Sequence, residues 1–367
     1  MSHIERLEEG WVSQREPGPT AIAAGSRAVR ANKGELVCSF MVQSKLGIND
    51  FKTMLARSRD GGRTWSEPTT LWPEVADRYA IFGSISRSAD GRLWFYGARC
   101  AIDTPGEPFW DDATQGLKQN ELIWSASKDE GRSWSPLRPI PMPTPGAAEA
   151  PGAMCVTSKG RWLAPYSPYS TFNPHVVADR THVVVVISRD EGRSWTHRSM
   201  LRFDDPASGG AEAWVIELSD GRLLGSCWHM NTADGSDHPN AYAVSSDGGE
   251  TWSPTRSTGT RGQSTALAAL PDGEALLVYN GRKCDPTGVW LCRARPTAED
   301  FGVQWDEVLW AAPAATQSGS STSHTDWTSF AFGEPALVPA GDGAWMLVFW
   351  CAQSFGSGIR FLRFRLS

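Results

Sequence analysis

The chain has 367 residues, 40% of them hydrophobic and 21% charged, with a net charge of −6 and no basic tract. That balance describes a globular protein and argues against a nucleic-acid partner. No run of 18 apolar residues occurs, which excludes a membrane-spanning helix. The 18 Trp residues are the unusual count, and Trp repeated at fixed places points to a periodic all-β chain.

The first segment, Met1 to Pro19, is polar and acidic and lacks the basic flank and apolar core of an export signal. Seven Cys (38, 100, 155, 227, 284, 292 and 351) lie scattered, mostly in apolar runs, without a CxxC pair. Both features lead us to expect a cytoplasmic protein with reduced thiols.

From Ser58 onward one octet returns along the chain. The pattern S-x-D-x-G-x-x-W occupies 58–65, 127–134, 188–195 and 245–252. A degenerate fifth copy keeps Asp300, Gly302 and Trp305 but has Ala298 in the serine position. Asp and Ser bond amides of their own turn, Gly supplies a positive φ, and Trp packs the turn onto its sheet. Carboxylates in such turns are structural in this reading. Between the octets run six Gly turns: Asn32-Lys33-Gly34, Asp90-Gly91, Lys159-Gly160, Asp220-Gly221, Asp272-Gly273 and Asp342-Gly343. Each is flanked by apolar segments, which reads as a β-hairpin.

Every unit is therefore strand, Gly turn, strand, variable loop, strand, octet turn, strand. Six such units predict an all-β, six-bladed β-propeller of four-stranded antiparallel blades, with residues 1–367 forming one domain. The last unit has only three strands after its start, so Ile4 to Gln14 is expected to supply its outermost strand and close the ring.

Strand alternation places the Gly and octet turns on one face. The starts of the innermost strands and the second-to-third-strand loops lie on the other, where a site is expected. In chain order the strand starts offer Ser26 and Arg27, Gly83 and Ser84, Glu149, Glu212, Gln263 and Ser264, and Glu334. Three converging carboxylates are costly unless they are paired or functional. Alternatively, they bond backbone amides at the channel mouth. The loops add Lys45 and Asp50, then Arg99 and an insert with Phe109 and Trp110. They add Tyr166, Tyr169 and His175, then Trp228 and His229, and finally Arg282. Aromatic rings beside charges suit sugar recognition. His229 and His238 match no strong metal spacing, and neither a metal nor a cofactor is expected.

On these motifs the chain resembles the sialidase superfamily, six-bladed propellers whose blades carry this octet, the Asp box. The resemblance spans nearly the whole chain. It implies that Glu212, in the stretch 212–221, matches the Glu that assists the family's Tyr nucleophile. It implies that Asp50 is similar in place to the acid/base Asp, and that Arg282 matches one of three carboxylate-binding Arg residues. Arg27 is displaced from another of those positions. Trp228 and His229 stand where a further Arg belongs, and Phe332 stands in the region of the Tyr.

The expected function is accordingly a glycoside hydrolase with a carboxylate pair, Glu212 with Glu149 or Glu334, and Asp50 as an alternative acid. Arg27, Arg282, Lys45, Arg99, His175, Trp228, His229 and Tyr166 are the candidate substrate contacts. An exo-sialidase, a uronate lyase and a non-catalytic glycan-binding propeller are the alternatives. A carbohydrate or small glycoside is the expected partner, with no nucleic acid and no membrane.

Overall fold

A computed structural model describes residues 2–16, 18–150, 152–313 and 331–367. Six antiparallel sheets stand in a ring, each packed against its neighbours. Blade 1 comprises Ile22–Arg30, Leu36–Gln43, Lys52–Ser58 and Thr69–Thr70. Blade 2 comprises Tyr79–Arg87, Leu93–Ala101, Asn120–Ser127 and Arg138–Ile140. In blade 3 the innermost strand is split into Ala147–Glu149 and Cys155–Val156, followed by Trp162–Tyr169, His182–Ser188 and Thr196–Arg202. Blades 4 and 5 start at Ser208–Glu217 and Gln263–Ala269. Blade 6 holds Phe332–Gly341, Ala344–Gln353 and Gly356–Leu366. Its fourth strand is Ile4–Gln14, paired antiparallel with Gly356–Leu366 as expected, so the first and last strands of the fold lock the ring together.

The blades are twisted sheets stacked face to face, and their alternate side chains interleave as apolar layers between neighbours. Between blades 2 and 3 the layer is built from Trp94, Trp124 and Trp162, with Trp94 and Trp162 ring centres 4.4 Å apart. The octet turns seal the outer strands. Ser58 Oγ donates to Asp60 Oδ1 at 2.8 Å, and Asp60 Oδ1 accepts the Arg63 and Thr64 amides at 3.0 Å each. Trp65 Nε1 returns to the Gly62 carbonyl at 3.0 Å. The same hydroxyl, carboxylate and amide pattern recurs around Asp129, Asp190 and Asp247. At the degenerate fifth turn Thr297 Oγ1 accepts the Glu299 and Asp300 amides instead.

One irregularity repeats and positions the site. The innermost strands of blades 1, 4, 5 and 6 each lose register with the second strand near their starts. The bulged residues with positive φ are Gly25 (64°), Glu212 (55°), Ser264 (56°) and Glu334 (47°). Only Gly25 adopts that conformation cheaply; for the other three, backbone strain of about 1–3 kcal/mol each is expected. A bulge leaves its residue out of the ladder, so its N–H needs another acceptor.

Candidate functional site

That acceptor comes from the neighbouring blade. Glu149 Oε2 accepts the Glu212 amide at 2.6 Å, and Glu334 Oε2 accepts the Gly25 amide at 2.5 Å. Glu212 Oε1 accepts the Ser264 hydroxyl at 2.8 Å. Carboxylates of blades 3, 4 and 6 thus each grip the bulged residue of the next blade around the channel. The amide-capping role anticipated as an alternative is real for Glu149 and Glu334. It leaves capacity over, because Glu212 Oε2 is buried and has no hydrogen-bond partner among the described residues.

Above this ring lies a cavity of about 460 Å³ to which all six blades contribute. Gly25, Ser84, Glu149, Glu212, Ser264 and Glu334 form its floor. Its walls are aromatic: Phe51, Phe82, Phe109, Trp110, Tyr169 and Trp228, with Trp350 from blade 6. Phe109 and Trp110 arrive on the blade 2 insert, which folds as a small hairpin pairing Trp110–Asp111 with Gly116–Leu117. Phe109 meets Phe51 and Phe82 edge to face, and Phe51 is tilted against Phe82, with centroids 4.9 to 5.5 Å apart. Trp228 is held by a strap: its Nε1 donates to Asp237 at 3.1 Å, and Asp237 also takes Lys283 Nζ at 2.6 Å.

Two guanidiniums stand beside the carboxylates. Arg282 is 5% exposed; its Nη1 donates to Gln263 Oε1 at 2.9 Å and its Nη2 to the Phe332 carbonyl at 2.6 Å. Burial lowers Arg282 to about 10, against the opposing pull of Glu212 and Glu334. Arg27 is 3% exposed and lies at the opposite mouth of the channel, below the cavity. It donates to the carbonyls of Ser26 and Glu334, and its guanidinium sits 5.0 Å over the Trp214 ring.

Glu149 and Glu212 are both held above the ordinary carboxylate range. Burial raises Glu149 far above the ordinary carboxylate range, and neighbouring Glu212 adds to the rise. Burial also raises Glu212, but the Ser264 hydroxyl and Arg282 stabilise its ionised form. The two carboxylates titrate as interacting groups, each pushed upward by burial, with Ser264 and Arg282 opposing the rise at Glu212.

Six of the twelve residues expected in the site line the cavity: Glu149, Glu212, Glu334, Arg282, Lys45 and Trp228. The other six are placed elsewhere. Asp50 turns back to accept the Ser44 amide. Arg99 pairs with Glu121 and covers the Tyr79 ring. Tyr166 is fully buried with its hydroxyl on Thr144. His229 is stacked on Phe203 and tilted against His238, and burial lowers it to about 4. His175 sits exposed on a loop, and Arg27 underpins the floor from below. Among the described residues no cluster of three or more His, Cys, Asp or Glu could hold a metal ion. No helix among them is long and apolar enough to cross a membrane. Sequence reasoning passed over Phe51, Phe82 and Trp350. Their signal was positional: Phe82 directly precedes Gly83 at a strand start, and Trp350 lies opposite Gly333 on the strand paired with Glu334's.

The sequence model of the BNR repeat-like domain matches residues 108–344, more than half of the chain. A sialidase from Bacteroides fragilis is 24% identical over 61% of this chain, and the match covers 42% of that protein's length. Among solved structures, a protein of unknown function from Dyadobacter fermentans covers all of both chains, with a TM-score of 0.74 and 19% identity. An α-L-arabinanase from Penicillium chrysogenum complexed with arabinobiose covers 98% of each chain, with a TM-score of 0.64 and 14% identity. At these identities the structural likenesses speak for the fold.

Proposed function

The chain belongs to the BNR repeat-like family, within the sialidase-like propellers, and from that premise we propose that it is a glycoside hydrolase whose working pair is Glu149 and Glu212. One observation carries the reading. Two carboxylates share the floor of one aromatic-walled cavity, and their surroundings push their roles apart. Glu149 keeps a proton and serves as the general acid toward the leaving oxygen. Glu212, kept ionised by Ser264 and Arg282, is the base or nucleophile. A glycosidase needs such a divided pair. Glu334 is left as an electrostatic neighbour, with its carboxylate on the Gly25 amide and its carbonyl on Arg27.

The test is a screen of 4-nitrophenyl glycosides and short oligosaccharides against the wild type, Glu149→Gln and Glu212→Gln. Turnover by the wild type with a loss of roughly 10²-fold or more in each variant supports the pair. Equal turnover in all three rejects it. The amide-capping role of Glu149 favours a second reading, a glycan-binding propeller without catalysis. In that case calorimetry would detect saccharide binding, but no product would form.

A further inference from the structure

Resting on the glycosidase reading, we infer that the cavity takes an uncharged, hydroxyl-rich sugar unit and rejects sugars bearing a carboxylate. A site that captures a carboxylate presents a fork of N–H donors to it. Here both guanidiniums already bond the protein. Arg282 spends Nη1 on Gln263 and both Nε and Nη2 on the Phe332 carbonyl. Arg27 lies beneath the floor with Nη1 on two carbonyls. Lys45, an exposed loop residue at the rim, offers only a point charge.

What the floor does present is acceptor capacity. Glu149, Glu212 and Glu334 all open into the cavity, and Glu212 Oε2 lies buried without a donor among the described residues. A buried acceptor of that kind is satisfied by a ligand hydroxyl, which loses far less on desolvation than a charged group. A ligand carboxylate would meet like charges in a low-dielectric pocket. Burial and the neighbouring carboxylates raise the proton affinity of Glu149 and Glu212, so the floor resists further negative charge. Phe51, Phe109, Trp110, Tyr169, Trp228 and Trp350 supply ring faces for the C–H faces of a sugar, a contact that needs no charge.

Matched pairs of ligands test this: 4-nitrophenyl glucoside against glucuronide, galactoside against galacturonide, and lactose against 3′-sialyllactose. Each pair is compared by turnover and by calorimetric Kd. For whichever ring fits, the neutral member is expected to be favoured at least ten-fold. In Glu212→Gln, which removes the carboxylate kept ionised by Ser264 and Arg282, calorimetry should show that preference shrinking several-fold, a change that steric rejection of the acid would not produce. Equal or better binding of an acidic member overturns the inference while leaving the hydrolase reading intact. Neutral binding without product sustains the inference and removes the hydrolase reading. Failure of every ligand to bind at millimolar concentration overturns both.

Discussion

The octet turns and the channel floor both concentrate carboxylates, and the fold treats the two sets in opposite ways. At the turns, Asp60, Asp129 and Asp247 resist a slight burial penalty and are drawn down to about 2 by hydroxyls and amides of their own loops. On the floor, burial dominates and Glu149 and Glu212 are pushed up. A turn Asp gathers its donors within four residues of itself, next to water. The floor Glu residues draw theirs from the neighbouring blade, at the bottom of a cavity. A carboxylate with many local donors holds a fold together, whereas one that is enclosed and under-satisfied is available for chemistry. The comparison predicts that function and stability separate cleanly between the two faces.

The largest effect should come at the floor. Glu149→Gln keeps a side-chain oxygen for the Glu212 amide, so the fold should survive unchanged by circular dichroism. Turnover should nevertheless fall by roughly 10²–10⁴-fold with the loss of a general acid. Glu149→Ala sharpens the point: it also strands the Glu212 amide, at about 1–3 kcal/mol of stability, which a denaturant titration would read. A stable, fully active Glu149→Gln protein would erase the distinction between the faces.

At the turns the pattern should invert. Asp60→Ala removes an acceptor for two amides and the Thr64 hydroxyl. Losing a cap of this kind costs about 1 kcal/mol, visible as a lowered denaturation midpoint with kcat unchanged. Asp60→Asn should recover part of the loss, because it retains Oδ1 as an acceptor.

The pH dependence tests both sets at once. Raised folded-state values mean that the native floor binds protons more tightly than the unfolded chain. Its contribution is therefore fully present below the ordinary Glu value and is lost as pH rises through the raised values. The turn aspartates run the other way: their contribution is present above the ordinary Asp value of 3.8 and fades as pH falls toward about 2. The Tm of Glu149→Gln minus that of the wild type should therefore grow between pH 5 and 9. For Asp60→Ala the deficit should be constant over that range and shrink only in acid. Activity should follow a bell displaced toward neutral or alkaline pH relative to ordinary carboxylate values.

The two faces also differed in how legible they were in the sequence. The turns announce themselves because their chemistry is local: Ser, Asp, Gly and Trp at fixed spacing encode the whole hydrogen-bond pattern, and their recurrence gives the blade count. Even the closing strand, Ile4–Gln14, follows from counting. The floor is only half local. A Glu at each of three strand starts was visible, and alternation placed the starts on one face. The bulges that turn Glu212, Ser264 and Glu334 inward leave no sequence mark, since non-glycine residues occupy a conformation that favours glycine. Loop residues were the least legible. Asp50, Arg99 and His229 are polar groups near the correct face, but each finds a partner within its own loop or blade, which sequence spacing does not encode.

The smallest predicted effect concerns the wall. Asp237 joins blade 4 to blade 5 by accepting both the Trp228 indole and Lys283, so it fixes one aromatic face of the cavity without belonging to the carboxylate ring. Asp237→Ala should free Trp228 to sample other rotamers while leaving Glu149 and Glu212 untouched. On a substrate the wild type cleaves, KM is expected to rise about two- to five-fold, on the order of 0.5–1 kcal/mol of lost positioning, with kcat and its pH profile unchanged. Glu149→Gln should instead depress kcat and alter the profile. A shifted pH profile in Asp237→Ala would mean that the strap reaches the ring electrostatically, and that the wall and floor are a single unit.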